Sequence, residues 1–475
     1  MTRSPARASW YDMWKKGEIT VFLSLALAVF LMVSEVCLRS AGYAVRRSEL
    51  EEALELTEYS VLAEYERTLL ERFGLFYLDL GYGTGQEDVA YLEQQAVFFM
   101  KQNLPAGRLL RLETDAMARA TDGRGASWYE QAVACIRNGT GLEALEEGLG
   151  KWQDYGKEAA EKSLEYEEAD SRESSRLEEL RRQREEEERE GTPDPTAHTM
   201  ELRRGSILHL VVQDTEKLSG KKAELSSAPS ARSLSTGAGS RGRYPAGAQN
   251  DLYFHAYLQK YFTNAVDFLT EEKAVGVWLD YQLEYVIGGK DSDLENLEAV
   301  CARLLAVREG MNYACLLSDG GKQAECEALA AALVGVTLIP GLVEAVKQVL
   351  MLAWAFAESV LDVRILLNGD RTAFVKTGDN WRLSLTEALE LGELSGYDGA
   401  EDPEGMDYQE YLGILLLMTG RDEKKMRGLD VLEGVVRETE KRSFRMDLCT
   451  DGFRFRTDWV NGQELTAERW FCYEW

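Results

Sequence analysis

The sequence predicts a mainly α fold with a small antiparallel β-sheet (α+β), behind a long N-terminal transmembrane helix that continues as an amphipathic one. Three observations predict it. An apolar run, "ITVFLSLALAVFLMVS", occupies residues 19–34. Apolar residues at helical spacing recur through most of the remaining chain. The last 32 residues alternate instead, with Phe453, Phe455 and Trp459 on near-alternate positions and turn signals at Asp451-Gly452 and Asn461-Gly462.

The uncharged run is slightly shorter than the roughly 20 residues that cross a bilayer core of about 30 Å. Continued through Glu35 to Leu38 it reaches that length, with Glu35 about one turn from the exit, where a carboxylate reaches the headgroups. A secretory signal has a shorter apolar core, about 7–15 residues, and a small-residue cleavage site. Glu35 and Arg39 would fall inside that site here, so the segment reads as an uncleaved anchor. Arg3, Arg7, Lys15 and Lys16 precede it; Arg39, Arg46 and Arg47 follow and are soon diluted by Glu49, Glu51 and Glu52. The bias places the N-terminus in the cytoplasm and the bulk of the chain outside it.

Composition narrows the function. With 54 basic against 82 acidic residues the net charge is −28, a surface that repels nucleic acid. The seven cysteines contain no CxxC pair and are too sparse for a disulfide scaffold; free thiols are expected, with Cys449 and Cys472 the one pairing to consider. His198, His209 and His255 are not spaced to share a metal. No cofactor, small-molecule substrate or catalytic residue is predicted.

Along the chain, residues 1–17 form a basic cytoplasmic segment and 18–39 the transmembrane helix. Residues 40–145 hold a helical and strand region. There Leu50, Leu54, Val61, Leu62, Leu69 and Leu70 follow a near-3.6 period, with a break expected near Gly42 and a stop at Gly74. Residues 107–123 suggest one or two strands, before a helix from about Trp128 to Arg137. Residues 146–190 form a charged helix: in 151–190, 24 of 40 residues are charged, so a solvated helix or spacer is expected. Residues 191–250 read as a flexible linker holding one short apolar piece, "SILHLVV", a strand or docking segment. In 226–248, 17 of 23 residues are Gly, Ser, Ala or Pro, too few apolar groups to order themselves. Residues 251–443 form a helical domain in which Ser292 and Glu295 open one helix as a capping box. The apolar stretch 328–343, interrupted by Gly335, Pro340 and Gly341, reads as a buried hairpin, with a second span as the alternative. Residues 444–475 hold three short strands.

Three motifs invite a chemical reading. "GYGTGQED" (81–88) lacks the Lys-Ser/Thr of a phosphate loop. "GGKDSDLEN" (288–296) spaces Asp291, Asp293 and Glu295 as a calcium loop begins, but the later ligands fall out of register and helix capping accounts for the same residues. "DGAEDPEGMD" (398–407) reads as a solvated acidic loop.

Several long stretches resemble one family. They include "KGEITVFLSLALAVFLMVSEVCLRSAGY", "RRGSILHLVVQDTEKLS", "EYVIGGKDSDLENLEAVCARLLAVREGMNYACLLSD" and "AWAFAESVLDVRILLNGDRTAFVKTGDNWRLSL". They are similar to a bacterial domain-of-unknown-function family of single-pass membrane proteins associated with Tad (tight adherence, Flp) type IV pilus loci. At the N-terminus the likeness is to TadE/TadG-like pseudopilins. The resemblance implies a location and a system rather than a reaction. It singles out Gly17 and Glu18 as candidate processing residues, because prepilin peptidases cut after a glycine that follows basic residues. Phe22 stands where a pilin would carry its assembly glutamate. Glu35 resembles the acidic residue ending the TadE/TadG-like apolar segment; a snorkelling interfacial carboxylate accounts for it equally. The expected protein is a membrane-anchored, non-enzymatic assembly component that contacts the lipid bilayer and other pilin-like proteins. The alternative is a cell-surface binding module on a stalk.

Overall fold

Lipid leaves backbone polar groups no partner but the chain itself, so an apolar span is driven into helix whatever its propensities. A segment able to meet that requirement is present: Ile19, Val21, Val29, Val33 and Val36 stand in one helix, α1, which runs from Trp10 to Leu62 in the computed structural model of the protein. The structure describes residues 10–104, 106–139, 142–188, 205–212, 214–239, 242–270, 277–335, 341–390 and 402–473, the side chains of 10–18, 142–150 and 184–188 excepted. After α1 come α2 (Arg67–Phe73), β1 (Leu78–Asp79), α3 (Val89–Asn103), β2 (Arg108–Arg119), α4 (Asp122–Arg137) and α5 (Leu142–Glu188). Next are α6 (Ile207–Val211), α7 (Ala248–Tyr261), α8 (Ala265–Leu269), α9 (Gln282–Gly288), α10 (Asp293–Ser318), α11 (Gly320–Val334) and α12 (Leu342–Leu367). The chain ends in α13 (Leu385–Leu389), α14 (Tyr408–Met418), α15 (Arg421–Thr439), β3 (Cys449–Val460) and β4 (Glu464–Cys472). The fold is therefore mostly helical with one small four-stranded sheet. It divides into two units: Met1–Glu64 with Asp88–Met117 and Gly452–Tyr473, and Tyr65–Glu87 with Ala118–Asp451.

In the first unit α1 is long and apolar enough to cross a membrane, and its apolar window is not buried. Phe22, Phe30, Val36 and Leu38 are among its exposed side chains. The break expected at Gly42 does not occur. A Cβ there would meet only the tip of Arg46, and one glycine costs a helix about 1 kcal/mol, too little to stop it. Beyond it, Leu50, Ala53, Leu54, Thr57 and Val61 turn inward, and α1 packs on α3 and β4. Thr57 donates to Met100 Sδ at 3.4 Å, Arg469 of β4 pairs with Glu55 at 2.7 Å, and Phe471 meets Tyr59 edge-on at 4.6 Å.

The C-terminal alternation forms two long strands rather than three short ones. Residues 452–460 of β3 pair antiparallel with β4, Gly452 opposite Cys472 and Val460 opposite Glu464. Asn461-Gly462 makes the turn, with Gly462 in the left-handed region. Asp451-Gly452 lies inside β3, because the Asp451 carboxylate is buried and accepts from Ser127 Oγ at 2.9 Å. All seven cysteines are free.

The second unit is helical. Its largest interfaces join α10 with α12, α10 with α5, and α11 with α12. Residues 328–334 of α11 and 342–343 of α12 thus belong to two helices packed on each other, α12 burying 21 of its 26 residues, while 336–340 lie outside the described residues. Gly74 and Gly289 cap α2 and α9 in the left-handed conformation. Ser292 accepts from Glu295 N at 3.3 Å at the start of α10. Helix α5 corrects the reading of a solvated charged spacer. Ala159, Tyr166, Ala169 and Leu177 are buried along one face, and at Gly310 of α10 a Cβ would lie 2.5 Å from the Lys162 carbonyl. Small residues, not a leucine seam, let the two backbones approach. The apolar piece "SILHLVV" is α6, a single turn packed on α10 and α12.

Glu58 is the discordant group of the first unit. It is fully buried in α1 and neither carboxyl oxygen has a hydrogen-bond partner. Burial raises it to about 8, the more distant Arg469 pulling it down and Glu55 pushing it up. A carboxyl raised above its ordinary 4.5 contributes its stability in full below that value and loses it as pH climbs to about 8. In denaturant titrations of the detergent-solubilised full chain, stability should therefore fall between pH 5 and 8.5. Glu58→Gln should remove part of that fall; an unchanged slope would refute the assignment.

Candidate functional site

The sequence-predicted residues do not converge. Backbone at Gly17 and Glu18 continues α1, and the Glu18 side chain lies outside the described residues. Glu35 is solvent-exposed and pairs with Arg39 one turn on, at 2.5 Å. Neutralised in this way, it can sit near the edge of the apolar run. The three tempting motifs are structural. In 81–87, Asp79 accepts from Gly81 N at 2.9 Å and Gly83 N at 2.8 Å, forming a turn, and Glu87 pairs with Arg119 at 2.6 Å. Asp293 accepts from the backbone of Asp280 and Tyr281 and from Ser219 Oγ, which ties a loop to a helix N-terminus. Residues 398–401 lie outside the described set, and Asp407 caps α14 through Glu410 N at 2.9 Å. Among the described residues, no group of three or more His, Cys, Asp or Glu could hold a metal.

Two polar constellations that the sequence did not reveal lie in the second unit. The first is a buried charge centre. Arg308 of α10 reaches Asp362 of α12 through Nε at 3.0 Å and Nη2 at 2.9 Å. Its Nη1 donates to the Phe374 carbonyl at 2.8 Å and to Tyr411 at 2.9 Å. Asn312 donates to the same Asp362 oxygen at 2.9 Å, Lys376 pairs with Asp362 at 2.6 Å, and also with Glu358. Arg308, Asp362 and Glu358 are wholly buried. Burial works against ionising Asp362, but Arg308 and Lys376 outweigh it and hold the carboxyl well below the usual carboxylate range. Each group is satisfied by its neighbours, so the centre is an organiser of helices rather than a place for a ligand.

The second constellation lies beside a cavity of about 670 Å³ whose lining includes Thr121, Arg124, Leu225, Arg232, Tyr285 and Met426. Another of about 500 Å³ is lined by Lys222, Pro229, Trp278, Asp430, Glu433 and Arg437, among others. Pro229 borders both. It belongs to the segment expected to be flexible, and that expectation is corrected: described residues 214–239 are held by a row of carboxylates. Ser219 Oγ lies 2.7 Å from an oxygen of Asp280 and 2.7 Å from one of Asp293, its single proton shared between them, and Ser230 N donates to Asp430 at 2.8 Å. Arg232 grips Glu433 with both Nη atoms at 2.6 and 2.7 Å and reaches Asp447 at 2.6 Å. Ser235 N donates to Asp447 at 3.1 Å, and Gly237 and Gly239 N–H groups to Asp122 at 2.7 and 3.0 Å. Beyond, Glu130 accepts from Gly242 and Arg243.

The electrostatics of this row are uneven. Burial lifts Asp430 to about 6, opposed by Ser230 and by Tyr285, whose hydroxyl donates at 2.7 Å. Burial also disfavours the charge of Asp447, but Arg445 and Arg232 hold it at about 2. One sequence signal was available: Asp430 and Glu433 stand three apart on α15 among Leu429, Val431, Leu432 and Val435, all buried. Charges placed there must find partners inside the protein. Arg437, one turn on, was a legible partner for Glu433, but the partners in the strap, Ser230 and Arg232, lie some 200 residues earlier, beyond the reach of local pattern.

Truncating Arg308 would leave Asp362 buried beside Lys376 with part of its compensation gone. Arg308→Ala should destabilise the second unit by about 3–5 kcal/mol, the usual cost of orphaning one member of a buried pair, whereas truncating the exposed Arg39 should cost less than about 1 kcal/mol. Denaturant midpoints of the two variants compared with wild type test this; a small effect of Arg308→Ala would mean the centre is dispensable.

No curated protein and no solved structure matches the chain. A family model matches residues 184–460, more than half of the sequence, and covers the strap formed by residues 214–239, the row carboxylates from Asp280 to Asp447 and the buried charge centre, but not Asp122 or Glu130. The chain thus belongs to that family, described as a family of unknown function (DUF5702).

Proposed function

We propose that the protein is a membrane-anchored, non-enzymatic assembly component, pseudopilin-like, of a Tad-type (Flp, type IV) pilus or a related secretion apparatus. The observation that carries this reading is α1. One unbroken helix of 53 residues has an exposed apolar first half and a second half that packs in a folded unit. At about 1.5 Å per residue it is roughly 80 Å long, and its apolar half alone spans a bilayer core. The resemblance of residues 15–43 to pilin-like anchors supplies the link to pilus machinery. In this reading the N-terminus is cytoplasmic, the chain passes once through the cell membrane, and the bulk is extracytoplasmic. The apolar half of α1 rests in lipid or against the apolar helices of other pilin-like subunits, and the remainder contributes binding surface rather than catalysis.

Alkaline extraction of native membranes should leave the protein in the pellet, and protease added from outside should digest residues beyond 40 while sparing the first 17. Deleting the gene should lower pilus number or adherence. Mass spectrometry of the mature chain should find its start at Glu18 if the pilin route of processing is used. Release by alkaline extraction, or unchanged pili and adherence in the deletion strain, would overturn the proposal.

A further inference from the structure

The segment 225–239 is held in an unusual way. Of its side chains only Ala228 and Pro229 are buried, with Leu225, Arg232, Leu234 and Ser235 partly so. Its apolar contribution is therefore small. Its fixed points are polar and mostly sequence-independent. Backbone N–H groups of Ser230, Ser235, Gly237 and Gly239 donate to Asp430, Asp447 and Asp122. A carboxylate row that takes backbone N–H groups recognises extended chain as such, and a bidentate guanidinium site adds side-chain selectivity. Only Arg232 supplies that selectivity: it is largely buried, with Glu433 and Asp447 fully so. A Cβ would meet nothing at Gly220 or Gly239, so on the side-chain side of the backbone the space at both positions is open, and Gly239 is held by its N–H bond to Asp122 alone among the contacts named above. On either side lie the two cavities, and Pro229 lines both. Lifting this segment would join them into one trench along α15, floored by Asp430 and Glu433 and closed at one end by Asp122.

We propose that this trench is a peptide-recognition site, and that residues 225–239 are a displaceable latch occupying it. Its competing occupant is an extended segment of a partner protein, carrying one arginine flanked by small polar residues. The partner's arginine takes the place of Arg232 between Glu433 and Asp447, and its backbone N–H groups take those of Ser230 and Ser235. The inference goes beyond the membrane reading, since every group it uses belongs to the second unit, and it stands or falls without pili.

Hydrogen exchange on the full-length protein in detergent gives the first test and needs no variant. Displaceable residues open locally without global unfolding, so amides of Ser230, Ser235 and Gly237 should exchange at least a hundredfold faster than those of α12. The second test titrates a labelled peptide with the sequence of residues 225–239 into wild type and Arg232→Ala. The variant, its own latch weakened, should bind the peptide at least tenfold more tightly than wild type does. Replacing the peptide's arginine by alanine should lose at least tenfold, in line with the worth of charged hydrogen bonds. Exchange as slow as that of α12 would make the segment an integral part of the core and overturn the proposal. So would a peptide that fails to bind Arg232→Ala, or that binds equally with and without its arginine. Should the variant not fold, wild-type exchange and peptide binding to wild type at high concentration decide the question alone.

Discussion

The second unit depends on one interaction, the grip of Arg308 on Asp362. A charge taken from water into a protein interior costs several kcal/mol, and this one is recovered only when every donor and acceptor is in place. Arg308 needs α12 for Asp362, the chain after α12 for the Phe374 carbonyl, and α14 for Tyr411. Asp362 in turn needs Asn312 and Lys376. No single helix pair satisfies the set, so the centre discriminates among packings that apolar area alone would leave close in energy. The same centre makes α12, a long and strongly apolar helix, a poor membrane span, because Glu358 and Asp362 are buried on its packed side.

The strap obeys a related rule at the surface. Its composition cannot bury enough area to offset the entropy of ordering it, and by that measure it should be loose. Order comes instead from buried acceptors. Asp447 and Glu433 are fully buried beneath the docked strap; Arg445 and Arg437 compensate part of their charge, and Arg232 with the strap's N–H groups supplies the rest. The composition of a segment therefore predicts whether it orders itself, not whether its neighbours order it.

This contrast explains which parts of the molecule were legible in the sequence. The helix over the apolar run 19–34 was legible, because its length and composition can be read without any distant partner. The β3–β4 hairpin was legible at Asn461-Gly462, where turn chemistry and alternation agree, and illegible at Asp451-Gly452, where a long-range contact with Ser127 overrides local turn preference. The docking of α5 was hidden because Ala159, Ser163 and Ala169 are small. A face that packs by close backbone approach shows no hydrophobic stripe. The buried charge centre and the carboxylate row were hidden for a different reason. A single acidic residue on a helix looks alike whether its partner is water or an arginine 54 residues away, and with 82 acidic residues chance alone supplies many candidates.

Helix α1 poses the converse problem, a stretch that keeps its structure with little to hold it. Between Ser40 and Glu49 no residue is buried, and an isolated helix of that length would be marginal in water. The first turn is the costly step in forming a helix, however, and propagation adds a bond for each residue fixed. Here nucleation is accomplished on both sides: by the apolar run before it, and by the packed face from Leu50 onward after it. The intervening residues need only propagate, helped slightly by exposed pairs such as Arg47 with Glu51 at 2.8 Å. Gly42 is tolerated for that reason, since melting the helix there would leave two new helix ends, each with unsatisfied backbone groups. Rigidity between the apolar first half of α1 and its packed second half thus follows from cooperativity, without burial of the residues that carry it.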